Sequence, residues 1–185
     1  IDDILIFVGA TRFVSSTLAI AGPDGGNVAG DRYAARISDD FRSLGAVSDF
    51  EPWAGSITFN ANSNWSFALD GPVEAHNDFI SVAVHEIGHI LGIGASATFG
   101  SWINDHHFTG PNATRINGGQ PIPIEDDHAH VEEGFADDTV ALDPVLITGN
   151  RVEISAFDKA ILADIGFEIA GFEKQGSKIP IATAS

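Results

Sequence analysis

A thirteen-residue run, Val84-His85-Glu86-Ile87-Gly88-His89-Ile90-Leu91-Gly92-Ile93-Gly94-Ala95-Ser96, constrains this chain more than any other stretch. Residues four apart on an α-helix lie one above the other on the same face. A helical run therefore lets His85 and His89 offer their imidazoles to one ion. Glu86, one step round from His85, can reach a water beside that ion without ligating it. The surrounding residues predict the helix. Asn77 or Asp78 can cap its start, and Phe79, Ile80, Ala83, Val84, Ile87, Ile90 and Leu91 form an apolar stripe at helical spacing. Val82, His85, Glu86 and His89 fall on the other side of the wheel. The helix is expected to pack on one face and to present the histidines on the opposite one. Gly92 stands three residues after the second histidine, where a left-handed residue stops a helix. A bare His-Glu-x-x-His occurs by chance among surface histidines, but cap, stripe and stop together favour a metal site.

Earlier in the chain, Ile4-Leu5-Ile6-Phe7-Val8 reads as a buried central strand, and Phe13 to Ala21 as a second strand closed by a Gly- and Pro-rich loop. Asp31 starts a helix in which Ala34, Ile37, Phe41 and Leu44 repeat at helical spacing and which Gly45 ends. Ser56 to Asn60 and Trp65 to Leu69 alternate as half-buried strands about a short turn, which predicts a hairpin. From Ala95 to about Asp143 no period persists, and so long an irregular stretch predicts a functional, ligand-anchored loop region. Ser155-Ala156-Phe157-Asp158 reads as a capping box opening a last helix through Asp164, with Gly166 as its stop. The fold class expected is α+β: a twisted mixed sheet with backing and active-site helices, then a smaller irregular C-terminal lobe ending in a helix. Residues 1–170 form one catalytic domain on this reading, with lobes of about 1–94 and 95–170 and a tail of 171–185. The substrate cleft runs between the lobes.

Nine basic and twenty-six acidic residues give a net charge of −17, which argues against nucleic acid and anionic membranes as partners. Some of the carboxylates could hold calcium. Cysteine is absent, so neither a disulfide framework nor a thiolate ligand is available. No apolar run has transmembrane length and no signal peptide is present, so the chain reads as a mature form; separately, a secreted, monomeric protein is expected.

Two histidines leave a catalytic zinc short of its usual three protein ligands. The segment His85-Glu86-Ile87-Gly88-His89-Ile90-Leu91-Gly92 resembles the opening of the metzincin zinc proteases, whose compact pattern places a third histidine three residues past the glycine. That position is Ala95 here. The departure resembles the leishmanolysin-like branch, in which an insertion separates glycine and histidine. Asp49-Phe50-Glu51-Pro52-Trp53-Ala54-Gly55-Ser56-Ile57-Thr58-Phe59, Phe108-Thr109-Gly110-Pro111-Asn112-Ala113 and Ala163-Asp164-Ile165-Gly166-Phe167 are similar to bacterial secreted members of that group. The candidates for the third ligand are His106, His107, His128 and His130. The resemblance favours His130, with His128 as the alternative; in an extended segment the two would point the same way. His76, His106 and His107 read as ordinary surface histidines. Metzincins also carry a methionine beneath the zinc, and this chain has none. Leu142, in Val140-Ala141-Leu142-Asp143-Pro144, stands in the corresponding place.

The resemblance implies a zinc metalloendopeptidase with His85, His89 and His130 on the metal and Glu86 as general base, acting on protein or peptide substrates. An edge strand within Ser56 to Leu69 is expected to pair with the substrate. Asp137, Asp138 and Asp143 are candidates for calcium or for supporting the site, with solvated loop acids preferred. Two other readings compete: a zinc-containing binding or adhesive domain without turnover, closed by a fourth ligand such as His128, and a zinc amidase or deacetylase.

Overall fold

Strands β1 (Leu5–Thr11), β2 (Ala19–Pro23) and β3 (Ala54–Asn60) form a mixed sheet in the order β1-β3-β2. The computed structural model of the chain describes residues 4–23, 50, 52, 54–170 and 172. β3 runs parallel to β1, Leu5 opposite Ala54, and antiparallel to β2, Ala19 opposite Phe59. The helix expected from Asp31 to Leu44 and nearly all of the tail after residue 170 lie outside the described residues.

Two strand expectations are corrected here. Ile4 to Val8 is not the central strand among the described residues, since β3 holds the middle and Leu5, Phe7 and Val8 are exposed at an edge. Continuous apolarity does not say how many neighbours a strand has. The second strand begins only at Ala19, because the chain from Phe13 to Leu18 is tied down by a side chain instead of a ladder. The Asn60 carboxamide accepts from the Phe13 and Asn62 N–H groups at 3.2 and 3.0 Å and donates to the Thr17 carbonyl at 2.9 Å.

The hairpin also fails. With β1 and β2 on either side of it, β3 has no free edge for the next segment. The chain turns away, and β4 (Trp65–Ser66) pairs in parallel with β5 (Asn77–Asp78). Trp65 stays close by donating its indole N–H to the Asn60 carbonyl at 2.9 Å. Its ring and those of Phe59 and Phe79 pack at centroid separations of 4.6 to 5.9 Å. That aromatic knot fastens the start of the histidine helix to the sheet, each ring pair adding about 0.5–1.5 kcal/mol beyond its burial.

Helix α1 (Phe79–Ile90) carries His85, Glu86 and His89. Asp78 is its N-cap, accepting from the Ser81 N–H at 3.0 Å and hydroxyl at 2.7 Å. Ile90 presses on Gly55 of β3 so closely that no Cβ fits there. The apolar stripe packs against two cores, and Val82, His85, Glu86 and His89 line a cleft on the other face, as expected. Val82 and Ile90 join the sheet-side core with Ala19, Ile57 and Phe59, while Val84 and Leu91 pack against the core of the C-terminal region.

The stretch from Ala95 to Asp143 is less irregular than expected. It holds α2 (Ala97–Ser101), β6 (Ile103–Asn104), β7 (His107–Phe108), α3 (Pro111–Ile116) and β8 (Ile122–Pro123), the three strands forming a small antiparallel sheet. Elements this short carry no sustained period. A 3₁₀ turn, Phe135–Asp138, leads to helix α4 (Ala156–Asp164). Ser155 and Asp158 form the expected capping box. At the other end of α4, the Asp164 carboxylate accepts from the Asn112 and Ala113 N–H groups, both at 2.9 Å. A carboxylate at the C-terminus of its own helix is poorly placed, but here it faces the N-terminus of α3, where negative charge is favourable. The C-terminal core, with Phe99 stacked on Phe108 and Leu142 and Ile161 buried, forms behind these caps.

Arg151 locks the Asp78 cap. Its guanidinium reaches both Asp78 oxygens, at 2.8 and 3.0 Å, and the carbonyls of Ala68 and Leu69. Burial pushes the Asp78 carboxyl up, but Arg151 and the Ser81 donors outweigh it and hold the group below its usual 3.8. A depressed folded-state pKa contributes stability above the unfolded value and loses it as pH falls through the folded one. Asp78→Asn keeps a cap acceptor but loses the charge that faces Arg151, and is therefore expected to destabilise the fold at pH 7 by about 1 kcal/mol, the extra worth of charge-assisted over neutral hydrogen bonds. The deficit should shrink as pH falls below 3.8. Melting curves of both chains across pH 2 to 7 check this, and a deficit independent of pH would refute it.

Candidate metal centre

Three imidazoles converge between the two cores. His85 and His89 come from one face of α1, as their spacing requires. His130 comes from a six-residue loop, residues 125–130, pinched between Ile124 and Val131, which bridge each other and are both buried. The Glu125 N–H donates to the His130 carbonyl at 3.0 Å, and the Val131 N–H to the Leu142 carbonyl at 3.2 Å. An apolar anchor on each side thus fixes a polar loop tip.

His89 Nε2 lies 3.1 Å from His85 Nε2 and 3.2 Å from His130 Nε2. Each ring is held from behind through Nδ1. His85 is 2.8 Å from the Ala141 carbonyl oxygen, His89 is 2.9 Å from that of Ile93, and His130 is 2.6 Å from Asp127 Oδ2. A carbonyl or carboxylate only accepts, so Nδ1 carries the proton and each Nε2 is left with a lone pair. Three lone pairs brought this close together repel unless a cation lies between them. Tetrahedral zinc, with Zn–N of about 2.0–2.1 Å, sets its ligand atoms about 3.3 Å apart, close to the separations found. The three residues form a group that could hold a metal ion, their ligand atoms all within 4.8 Å of one another.

The electrostatics agree with neutral ligands. Burial, then the neighbouring His89 and His130, push His85 down to about 3, against the pull of the Ala141 carbonyl. Burial also lowers His89. Glu86, 5% exposed, is pushed up to about 7 by burial. Burial raises Asp127, yet the N–H groups of Ala129 and His130 and the His130 ring bring it below its usual value. With Glu86 and the three histidines, a cleft of ≈ 690 Å³ is lined by Ser16 to Ala21, Asn77, Val82, Gly94, Ala95, Ala129 and Pro144 to Leu146. The strand bordering the metal group is β2, not one within Ser56 to Leu69.

The other candidates lie elsewhere. His106 and His107 are exposed, as expected for surface residues. His128 does not point with His130. Its φ of 57° turns the chain, and its ring packs on His106 at 4.9 Å while exposed to solvent. Asp143, expected to be a solvated loop acid, is 1% exposed and accepts from the Gly134 and Val145 N–H groups at 3.1 and 2.8 Å. Burial raises its pKa. Leu142 is fully buried and its side chain lies against Gly88, between the two histidines in sequence. Sequence reasoning missed Asp127, Ile93 and Ala141 as holders of the rings. Two of these act through backbone carbonyls, which no side-chain pattern marks. Asp127 did carry a signal, an acidic residue three positions before the favoured histidine.

Residues 35–116 match the matrixin family of peptidases. No curated protein and no solved structure matches the chain. The matched span contains His85, Glu86 and His89 and ends before His130, which the fold supplies from outside it. Similarity to matrixins and the three-histidine group together support a metzincin-type zinc protease. No described helix is long and apolar enough to cross a membrane.

Two substitutions test how the site is held. Gly94 has φ +70°, and a Cβ there would collide with the Ala129 backbone in the loop that delivers His130. Gly94→Ala should weaken zinc binding without unfolding α1. Asp127→Asn removes the carboxylate behind His130 and should weaken zinc about 10- to 100-fold. Chelator competition measures both, and native affinity in either variant would show that the loop is not held as described.

Proposed function

We propose that this chain is a zinc-dependent endopeptidase, with His85, His89 and His130 on the metal and Glu86 as general base. The convergence of three proton-free Nε2 atoms, each fixed by an acceptor behind it, carries the reading. Bound zinc supplies Lewis acidity, lowering the pKa of water towards ~7 and polarising a carbonyl oxygen. Glu86, in the same cleft and next to His85, takes the proton of the attacking water and returns it to the leaving amine. Among the described residues β2 has a strand neighbour on one side only, and it borders the cleft, where an extended peptide can add as a further strand.

Two observations favour turnover over a silent binding domain. Among the described residues no fourth histidine, cysteine or carboxylate joins the three-histidine group, so one coordination position stays open. His128, the residue that could have closed it, faces His106 instead. The insertion between Gly92 and His130 supports placement near the leishmanolysin-like branch, and with it secretion and a monomeric state.

Glu86→Gln should keep one zinc per chain and lower casein cleavage about 10²- to 10⁴-fold. His130→Ala should lose both zinc and cleavage, and His128→Ala neither. Elemental mass spectrometry paired with a casein assay separates the alternatives. Zinc retained in His130→Ala would remove the third ligand, and tight zinc with no cleavage by the native chain would favour the binding domain. Cleavage of acetamide or N-acetyl substrates but not of peptides would favour an amidase or deacetylase.

A further inference from the structure

We propose that Asp158 is a positioning residue for the metal centre, acting on His85 through the peptide bond between Ala141 and Leu142. The inference rests on the zinc-site reading and adds to it the source of His85's orientation and donor strength. Asp158 is fully buried, in the first turn of α4, and no basic side chain pairs with it in the structure's ion pairs among described residues. Its Oδ1 accepts from the Leu142 N–H at 3.3 Å, and its Oδ2 from the Ala141 and Ser155 N–H groups at 3.0 and 2.7 Å. The capping box alone needs only the Ser155 contact. The other two reach sixteen and seventeen residues back, to the turn beneath the histidines.

The geometry of that turn gives the contacts a purpose. The peptide whose N–H donates to Asp158 is the one whose carbonyl, Ala141 O, accepts from His85 Nδ1 at 2.8 Å. Carboxylate, peptide and imidazole therefore form one chain of aligned hydrogen bonds. Each bond in such a chain polarises the next, so a carboxylate on the N–H makes the carbonyl oxygen a stronger acceptor. A stronger acceptor behind Nδ1 makes Nε2 a better donor to a metal and fixes the ring plane. His130 has a carboxylate directly behind it, His85 has one at the distance of a peptide, and His89 has only the Ile93 carbonyl. Asp158 thus gives His85 at long range what Asp127 gives His130 by contact.

The test uses the whole chain in three forms: native, Asp158→Asn and Ser155→Ala. Ser155→Ala removes the other half of the capping box, whose hydroxyl accepts from the Phe157 and Asp158 N–H groups, and leaves the 141–142 peptide alone. Zinc affinity is measured by chelator competition well below each melting temperature, and the visible spectrum is recorded with cobalt in place of zinc. Asp158→Asn should bind zinc about 10- to 100-fold more weakly and shift the cobalt bands. Ser155→Ala should lose thermal stability but keep native affinity and bands. Equal changes in both variants, or none in Asp158→Asn, would overturn the relay and leave the metal centre standing. A native chain that takes up no zinc would overturn both. Should Asp158→Asn not fold, the ring N–H resonances of the native zinc-loaded chain decide: the His85 proton should lie downfield of the His89 proton, and the reverse order removes the relay.

Discussion

Three imidazole lone pairs held 3.1 and 3.2 Å apart cannot be a resting arrangement of free side chains. Left to themselves the rings would turn to water or donate to one another. They are kept in place because every Nδ1 is already bound to an acceptor that belongs to a different part of the fold. Ile93 follows the end of α1, Ala141 lies in the turn before α4, and Asp127 sits in the loop beside His130 itself. The site is an agreement among three segments about one point. Whatever disturbs their relative placement is felt there before it is felt in the rest of the molecule.

That agreement depends on α1 being shared between two cores. Its aromatic start and Ile90 bind it to the sheet, while Val84 and Leu91 bind it to the C-terminal cluster. A helix packed on one side only could shift by several tenths of an ångström to suit its one neighbour. Close packing on both sides removes that freedom, because interiors at crystal-like density transmit displacement instead of absorbing it. The contacts of Gly55 with Ile90 and of Gly88 with Leu142 show how little slack remains on either side. A methyl group at either glycine would push α1 against the opposite core.

What the sequence made legible was local. Asp78 capping α1, the Gly92 stop, the Ser155–Asp158 box and the α+β class depend on residues within a few positions of each other. Periodicity and cap chemistry report such features directly. Partners far apart in the chain were not legible. Whether Trp65 returns beside β3 depends on whether β1 and β2 already occupy its edges, and alternation says nothing of that. The choice of His130 over His128 came from family resemblance and not from spacing. The fold separates them with a left-handed residue at His128, which breaks the two-residue alternation assumed for an extended strand. Asp143 looked like a solvated acid because acids usually are, and only the turn supplies the two N–H groups that let it be buried.

Leu142 shows why the absence of methionine need not disturb such a centre. Its side chain fills space against Gly88 and touches the rest of the C-terminal core, a task for which leucine and methionine differ little in volume. Volume-conserving exchanges of this kind cost less than about 1.5 kcal/mol. The specific contacts of the residue are made by its backbone: its N–H donates to Asp158, and its carbonyl accepts from Val131, the residue after His130. One peptide segment therefore ties the His85 acceptor, the His130 loop and α4 together without using a side-chain functional group. A thioether at this position would add polarisability to the floor of the site but no hydrogen bond that the backbone does not already make. The constraint on position 142 is apolar volume plus an undistorted turn, and leucine meets both.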